Sequence, residues 1–224
     1  MPEPHLTRRQ REDPLVMAWV RIQEWMEANA RLLAILAGAV VLLVVVSLLW
    51  ARARAEAEGK ASEKVAEIST LYWQGGYDRV LQGADQIRKD FPRTNAAREA
   101  LRIKGDALFW QGDFKGAEAA YRAYLKEADK PSPVRLGVRR NLAQALESGQ
   151  QFKEAAEIYE ELAKEPGPRA IQAELLLAAG LDWRTAGDAT RATAAFSRVA
   201  RDFADTPSGA RGQICLGELQ LRDP

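Results

Sequence analysis

The uncharged stretch from Leu32 to Trp50, LLAILAGAVVLLVVVSLLW, constrains the fold of this chain more than any other feature of its sequence. It contains no charged residue and a single hydroxyl, that of Ser47. As an α-helix it would be about 28 Å long, close to the roughly 30 Å thickness of a bilayer's hydrocarbon core. Arginines flank it on both sides. The sequence therefore predicts a transmembrane helix over residues 31–52.

Two other interpretations of this stretch stay open. A core helix of a globular domain is the first, although such helices are usually shorter or carry a polar stripe. A cleavable signal peptide is the second, since the sequence ARARA at residues 51–55 offers small-x-small cleavage sites. Against it, the segment before the stretch and the apolar core itself are both longer than is usual for a signal peptide. Within the stretch, Ala34 and Gly38 form a small-xxx-small pair, which predicts a contact with another membrane helix.

The segment before the apolar stretch divides into two parts. Residues 1–12 are polar and mixed in charge, which predicts a disordered tail. Residues 13–30 begin with an N-cap and proline pair, Asp13-Pro14, and space their apolar residues three and four apart. The pattern predicts an amphipathic helix, and Trp19 and Trp25 favour a position in the lipid headgroup region. A helix packed on a partner protein is the alternative.

Composition narrows the functions open to the remaining chain. Residues 61–224 contain 24 Lys and Arg and 24 Asp and Glu, so this part has no net charge and nucleic-acid binding is disfavoured. His5 is the single histidine, and no histidine-based triad or zinc cluster can form after the apolar stretch. We therefore predict no catalytic site, no metal and no cofactor. The basic residues on the two sides of the stretch do not decide its orientation.

A repeat with a period of about 37 residues runs through residues 61–222. One register holds a small or apolar residue in each unit: Ile68, Gly105, Ala143, Gly180 and Gly217. Three further registers repeat with it, namely Tyr77, Phe114, Phe152 and Ala189; Val80, Ala117, Ala155 and Ala192; and Ala84, Tyr121, Tyr159 and Phe196. The pattern predicts about four repeats and a C-terminal half-repeat.

Each repeat is predicted to be a hairpin of two helices. Its turn would come from Gly75-Gly76, Gly112-Asp113, Ser148-Gly149 and Gly187-Asp188 in successive units, because glycine tolerates the left-handed conformation that ends a helix. A small residue in the first helix would let the two helices approach closely, and the small and aromatic residues on one face of the second helix would fill the gap to the next hairpin. Since one hairpin cannot bury its apolar face alone, the units should stack into an all-α solenoid of nine helices. Cys215 is expected to be buried.

These residues resemble the tetratricopeptide repeat, which has a small residue in its first helix, a Gly-Asp-Tyr-like turn, and an alanine and an aromatic in its second helix. The resemblance covers residues 61–222 and implies a tetratricopeptide-repeat-like solenoid that binds proteins. The sequence departs from the pattern in three ways. Its period exceeds the roughly 34 residues that are typical of the family. Ala189 replaces the aromatic of the turn, and Ala84 replaces that of the second helix.

The order of segments resembles the bacterial ancillary subunit of the Sec translocon, which has a short tail, a Trp-bearing segment, one span and then repeats of this type. This resemblance implies an inner-membrane protein with a cytoplasmic N-terminus and a periplasmic repeat domain. It also implies the translocon and a membrane-anchored periplasmic prolyl isomerase as partners, with exported proteins as clients. A cell-envelope assembly or division scaffold is the alternative, and a membrane-bound enzyme is disfavoured by the missing catalytic groups.

A binding groove is expected along the first helix of each repeat. Residues one, four and five positions after the small residue, and three before it, should face the groove. They are Ser69, Tyr72 and Trp73 in the first unit, Arg102, Asp106, Phe109 and Trp110 in the second, Arg140, Gln144 and Glu147 in the third, and Leu177, Leu181 and Arg184 in the fourth. The aromatic pairs flanked by cations would suit an extended apolar or aromatic segment. Alternatively, Trp73 and Trp110 close their hairpins against the second helix.

Overall fold

The computed structural model describes residues 14–128 and 131–222, and in this part of the chain every regular element is an α-helix. The ten helices are α1 (Pro14–Ala28), α2 (Ala30–Trp73), α3 (Tyr77–Asp90), α4 (Asn95–Trp110), α5 (Phe114–Glu127), α6 (Pro133–Ser148), α7 (Phe152–Leu162), α8 (Arg169–Thr185), α9 (Ala189–Asp202) and α10 (Pro207–Arg222). The chain forms two compact units, residues 1–56 and 57–224. The expected tail at residues 1–12 and the expected N-cap Asp13 lie outside the described residues.

The first unit holds α1 and the beginning of α2. Trp19 and Trp25 of α1 are exposed, and the headgroup position expected for this helix stays a prediction. The apolar stretch lies in α2, and its side chains are mostly exposed, so it is not a core helix of this chain. Its length and composition suit a membrane span, and a signal sequence near the N-terminus would suit them equally. Ala34 and Gly38 are exposed too, and nothing lies within 4 Å of a Cβ placed on Gly38.

The second unit is a stack of helical hairpins. Its helices pair in chain order as the end of α2 with α3, α4 with α5, α6 with α7, and α8 with α9, and α10 packs on α9 and α8. With the end of α2 included, the described residues of this unit contain the nine helices that the repeat predicts. The first of them is continuous with the apolar stretch, because α2 runs unbroken for 44 residues. Glu58 of α2 caps the N-terminus of α4, because its carboxylate accepts hydrogen bonds from the Asn95 and Ala96 backbone amides, both at 2.8 Å.

Close packing at the small residues explains the repeat. A Cβ placed on Gly105 would lie 2.5 Å from the ring of Tyr121, and one placed on Gly180 would lie 2.5 Å from the ring of Phe196. Any larger side chain at these glycines would push the second helix away from the first. The expected close approach of the two helices at the small residue is thus confirmed in these two hairpins, where the aromatic residue of the second helix packs on the glycine of its own hairpin. Cys215 is buried in the same core, as expected.

The turn of the third hairpin differs from its sequence-based prediction. Gly75, Gly112 and Gly187 have φ of 75°, 82° and 81°, as expected for residues that end a helix. In the third hairpin Gly149 has φ of −81°, and Gln150 takes the left-handed conformation at 63°. The prediction of Ser148-Gly149 was therefore wrong by one position. Gln150 lies one repeat after Gly112 and one repeat before Gly187, so the repeat places it in register and the glycine misled the interpretation.

Candidate functional site

Five of the predicted groove residues line one pocket. Tyr72 comes from the end of α2, Asp106, Phe109 and Trp110 come from α4, and Gln144 comes from α6. Tyr121 and Asn141 complete the lining, and the pocket has a volume of about 200 Å³. We call these seven residues the aromatic pocket. Its residues come from three successive repeats, so it exists only when the hairpins stack.

The aromatic residues divide into two roles. The ring of Tyr72 lies 5.9 Å from that of Tyr77, and the ring of Phe109 lies 5.5 Å from that of Phe114, so Tyr72 and Phe109 are the residues that close their hairpins. Each also packs edge-on against the tryptophan that follows it. Such offset and edge contacts are favourable for aromatic pairs.

The two tryptophans remain on the surface. Trp73 is 83% exposed and Trp110 is 63% exposed. The alternative that they close the hairpins is wrong, because the neighbouring Tyr72 and Phe109 already do so. Trp110 lines the pocket and Trp73 follows the lining residue Tyr72, so both exposed indoles belong to this surface. Exposed tryptophans are typical of surfaces that contact other molecules.

Asp106 lies at the polar centre of the pocket. Its Oδ1 accepts hydrogen bonds from the Tyr121 hydroxyl at 2.7 Å and from the Asn141 side-chain amide at 3.1 Å. Its Oδ2 accepts from the Arg102 guanidinium at 2.5 Å, and Arg102 also pairs with Glu99. The carboxylate thus joins α4, α5 and α6.

Burial dominates the electrostatics of this centre. It raises the pKa of Asp106, although the hydrogen bonds and the charge of Arg102 act in the opposite direction. Burial and the charge of Asp106 also raise the pKa of Tyr121, so its hydroxyl keeps its proton and donates to the carboxylate. Asp106 is already satisfied by three donors, which makes it a holder of the pocket's shape rather than an acid or base poised for chemistry.

Several predicted groove residues outside the pocket are half-buried, namely Ser69, Arg140, Leu181 and Arg184, whereas Gln144 of the pocket is exposed. Arg140 pairs with Glu174 at 2.5 Å and Arg184 pairs with Glu218 at 3.0 Å, so both tie their helix to the first helix of the next repeat.

Leu177 was wrongly placed in the groove. It is only 5% exposed and belongs to the larger hydrophobic core. In the same register, Arg102 and Arg140 are long enough to bring their charged ends to the surface. A leucine has no charged end to solvate, and at Leu177 it packs inward.

Sequence reasoning missed three polar residues of this surface. Asn141 was not expected in the pocket, and Tyr121 was assigned only a packing role. Asp182, two positions after Gly180, is 4% exposed, and its Oδ2 has no hydrogen-bond partner. A signal for it existed, since the second and third repeats have alanine at this position, Ala107 and Ala145. In the described part of the chain, no group of three metal-ligating side chains comes together.

The fold and this surface define an all-α protein of tetratricopeptide-like repeats. A putative kinesin light chain of Podosopora anserina, with nearly identical TPR-like repeats, is similar to it with a TM-score of 0.55 and 14% identity, over 72% of this chain and 86% of that chain. Its Q17M form gives a TM-score of 0.54 and 15% identity, over 72% and 85%. At such identities the similarity concerns the fold alone. No protein-family model matches the sequence, and no curated protein matches it.

Proposed function

We propose that this chain is a non-enzymatic scaffold that binds an extended segment of a partner protein on the first helices of its repeats. The observation that carries the proposal is the aromatic pocket beside the exposed Trp73 and Trp110. Large, rigid aromatic side chains provide contact area at a small cost in conformational entropy, and they dominate binding energy in many interfaces. The pocket itself is held open by the Asp106 network, so little reorganisation is needed on binding.

The cellular setting follows from the apolar stretch and the order of the segments. In our proposal the stretch anchors the chain in the bacterial inner membrane, with the N-terminus cytoplasmic and the repeats periplasmic. There the chain would act as an ancillary subunit of the Sec translocon that hands exported proteins to periplasmic chaperones, next to a membrane-anchored prolyl isomerase. This setting is supported by the resemblance in layout.

Site-specific photo-crosslinking in the native cells tests the proposal. A photoreactive phenylalanine analogue replaces Trp73 or Trp110 in the full-length chain, and the crosslinked proteins are identified by mass spectrometry. We expect translocon subunits, the prolyl isomerase or exported proteins. The matched control position is Thr190, which is exposed on a second helix, α9, and should give none of these adducts. Crosslinks to division or envelope-assembly proteins alone would instead favour the alternative scaffold.

The Trp73→Ala, Trp110→Ala double variant completes the test. Both side chains are exposed, so the variant should keep the wild-type melting temperature while its partner binding falls by at least about tenfold, as for two interface hot spots. Ile214→Ala, which removes an exposed apolar side chain on α10, serves as the control and should bind normally. Normal partner binding by a folded double variant would refute the binding surface. A periplasm-only reporter fused after Pro224 should be active, and an inactive but stable fusion would refute the orientation.

A further inference from the structure

Beyond the aromatic pocket, the surface of the third and fourth repeats changes from aromatic to acidic. Glu147 of α6 lies three residues after Gln144, a lining residue of the pocket, and is therefore on the same helical face. Its side chain is exposed, and its Oε2 accepts a hydrogen bond from the Tyr159 hydroxyl at 3.2 Å. Glu147 takes part in no ion pair among the described residues.

Asp182 of α8 lies close enough to Glu147 for the two charges to interact. Its side chain is almost fully buried, and its Oδ2 has no hydrogen-bond partner. Burial raises the pKa of Asp182 to about 7, with a further contribution from the charge of Glu147. The same two carboxylates act together on one hydroxyl, because after burial their charges are the main causes that raise the pKa of Tyr159. We call Glu147 and Asp182 the acidic pair.

The charged groups of the surrounding helices are engaged elsewhere. Arg140 of α6 pairs with Glu174, and Arg184 of α8 pairs with Glu218 of α10. On α7, Glu160 accepts a hydrogen bond from the Trp183 indole at 2.8 Å. On α9, Arg191 stacks 4.4 Å from the Trp183 ring and pairs with Glu157 at 3.4 Å and with Asp188 at 3.7 Å. Every one of these cations already has an acidic partner other than the acidic pair.

A buried carboxylate oxygen without a donor is costly, because it has lost its hydration and gained no hydrogen bond in return. Two neighbouring carboxylates that form no ion pair among the described residues also create a negative potential in a poorly screened part of the surface. A positive charge brought by another molecule would reduce both the cost of the buried carboxylate and the negative potential. In the second repeat the chain itself supplies such a charge to a buried carboxylate, since Arg102 pairs with Asp106.

We propose that the acidic pair binds a lysine or arginine side chain of the partner segment that the aromatic pocket holds. Glu147 makes the direct contact, and Asp182 adds its charge. Gln144 and Glu147 are separated by about 4.5 Å along α6, and an extended chain advances about 3.3 Å per residue. The basic residue therefore follows or precedes the apolar residue in the pocket by one or two positions. This inference rests on the proposed function.

Selection from a random library of phage-displayed dodecapeptides tests the inference. The bait is the full-length chain in lipid nanodiscs, and the selected pools are sequenced for wild type, Glu147→Gln and the Trp73→Ala, Trp110→Ala double variant. Wild type should enrich aromatic residues with Lys or Arg one or two positions away. Glu147→Gln should keep the aromatic enrichment and lose the basic one. Glu154→Gln, an acidic change on α7, is the control and should select like wild type.

The outcomes separate this inference from the proposed function. Aromatic enrichment that needs the two tryptophans but shows no basic preference refutes the acidic pair and leaves the scaffold function standing. An unchanged basic preference in Glu147→Gln refutes it as well. If wild type and the double variant both enrich nothing, the scaffold function and the acidic pair fall together.

The pH dependence of one selected peptide tests the part of Asp182. Its affinity, measured by fluorescence anisotropy, should rise by up to about tenfold from pH 6 to pH 8, as the ionised fraction of Asp182 does. Lysine and arginine stay charged throughout this range. Asp182→Asn should remove the pH dependence, and so should replacing the basic residue of the peptide by glutamine. The same pH dependence in wild type and Asp182→Asn would overturn the role of Asp182.

Discussion

Asp106 and Asp182 are two largely buried aspartates on first helices of the solenoid, and their surroundings are opposite. Asp106 accepts from Tyr121, Asn141 and Arg102, so both of its oxygens have donors. Asp182 has an oxygen without a donor, and its charged neighbour is another carboxylate, Glu147. Asp106 ties three helices together, whereas the charge of Asp182 is not compensated by any cation in the described part of the chain.

The two aspartates lie at adjacent positions of a shared backbone frame, Asp106 one residue after Gly105 and Asp182 two residues after Gly180. Gly105 and Gly180 receive the rings of Tyr121 and Phe196 in the same way. However, Phe196 has no hydroxyl, so the fourth repeat lacks the donor that Tyr121 gives to Asp106. The packing registers therefore keep the hairpins alike, while the positions beside them are free to differ from one repeat to the next. Such differences allow a repeat protein to recognise a partner along its length.

Removing Asp106 should have the largest effect on stability. Asp106→Ala leaves the Tyr121 hydroxyl and the Arg102 guanidinium without their acceptor, and we expect the free energy of unfolding to fall by about 3 kcal/mol. Urea denaturation of the full-length chain in detergent, followed by circular dichroism, measures it. The control is Asp90→Ala, an exposed aspartate bonded only to Gln86, which should change little. A stability loss no larger than that of the control would show that the network does not hold the helices.

Neutralising Asp182 should instead increase the free energy of unfolding. Its pKa is raised in the folded state, so the native protein keeps a proton that the unfolded chain releases from about pH 4 upward. The wild-type free energy of unfolding therefore falls as the pH rises towards 7, and Asp182→Asn escapes this loss. We expect the variant to be more stable by about 2 kcal/mol at pH 8 and by much less at pH 5.

Denaturation midpoints at the two pH values measure this effect, with Asp106→Asn as the control that should gain nothing at either pH. A gain of equal size at pH 5 and pH 8 would mean that the ionisation of Asp182 is not its cause. The charges of Asp106 and Asp182 would then contribute to stability in a more similar way than their hydrogen bonds indicate.

The smallest effect concerns the turn of the third hairpin. Gln150 has a side chain in a left-handed conformation where the three comparable turns have glycine. Gln150→Gly relieves this strain, and we expect a gain of about 0.5 kcal/mol after the larger chain entropy of glycine is subtracted. Gln74→Gly, at a helix end without a positive φ, is the control and should give no gain. A stability loss in Gln150→Gly would mean that the glutamine is not strained.

Much of the fold followed from the sequence because its signals are local or periodic. An uncharged apolar stretch of helix length and four registers repeating together indicated the α-helices, their pairing and their contact residues. Three aromatic residues of the pocket, Tyr72, Phe109 and Trp110, were also predictable, since positions at fixed offsets from the small residue share a helical face.

Only the tertiary structure decided which residues of that face stay exposed. Leu177 is covered while Trp73 and Trp110 are not, and Tyr72 and Phe109 close the hairpins in their place. The network of Asp106 reaches Asn141, 35 residues away, and the isolation of Asp182 depends on which neighbours its helix acquires. Helical periodicity determines the direction of a side chain, but its burial and its partners depend on distant parts of the chain, which are brought close only when the hairpins stack.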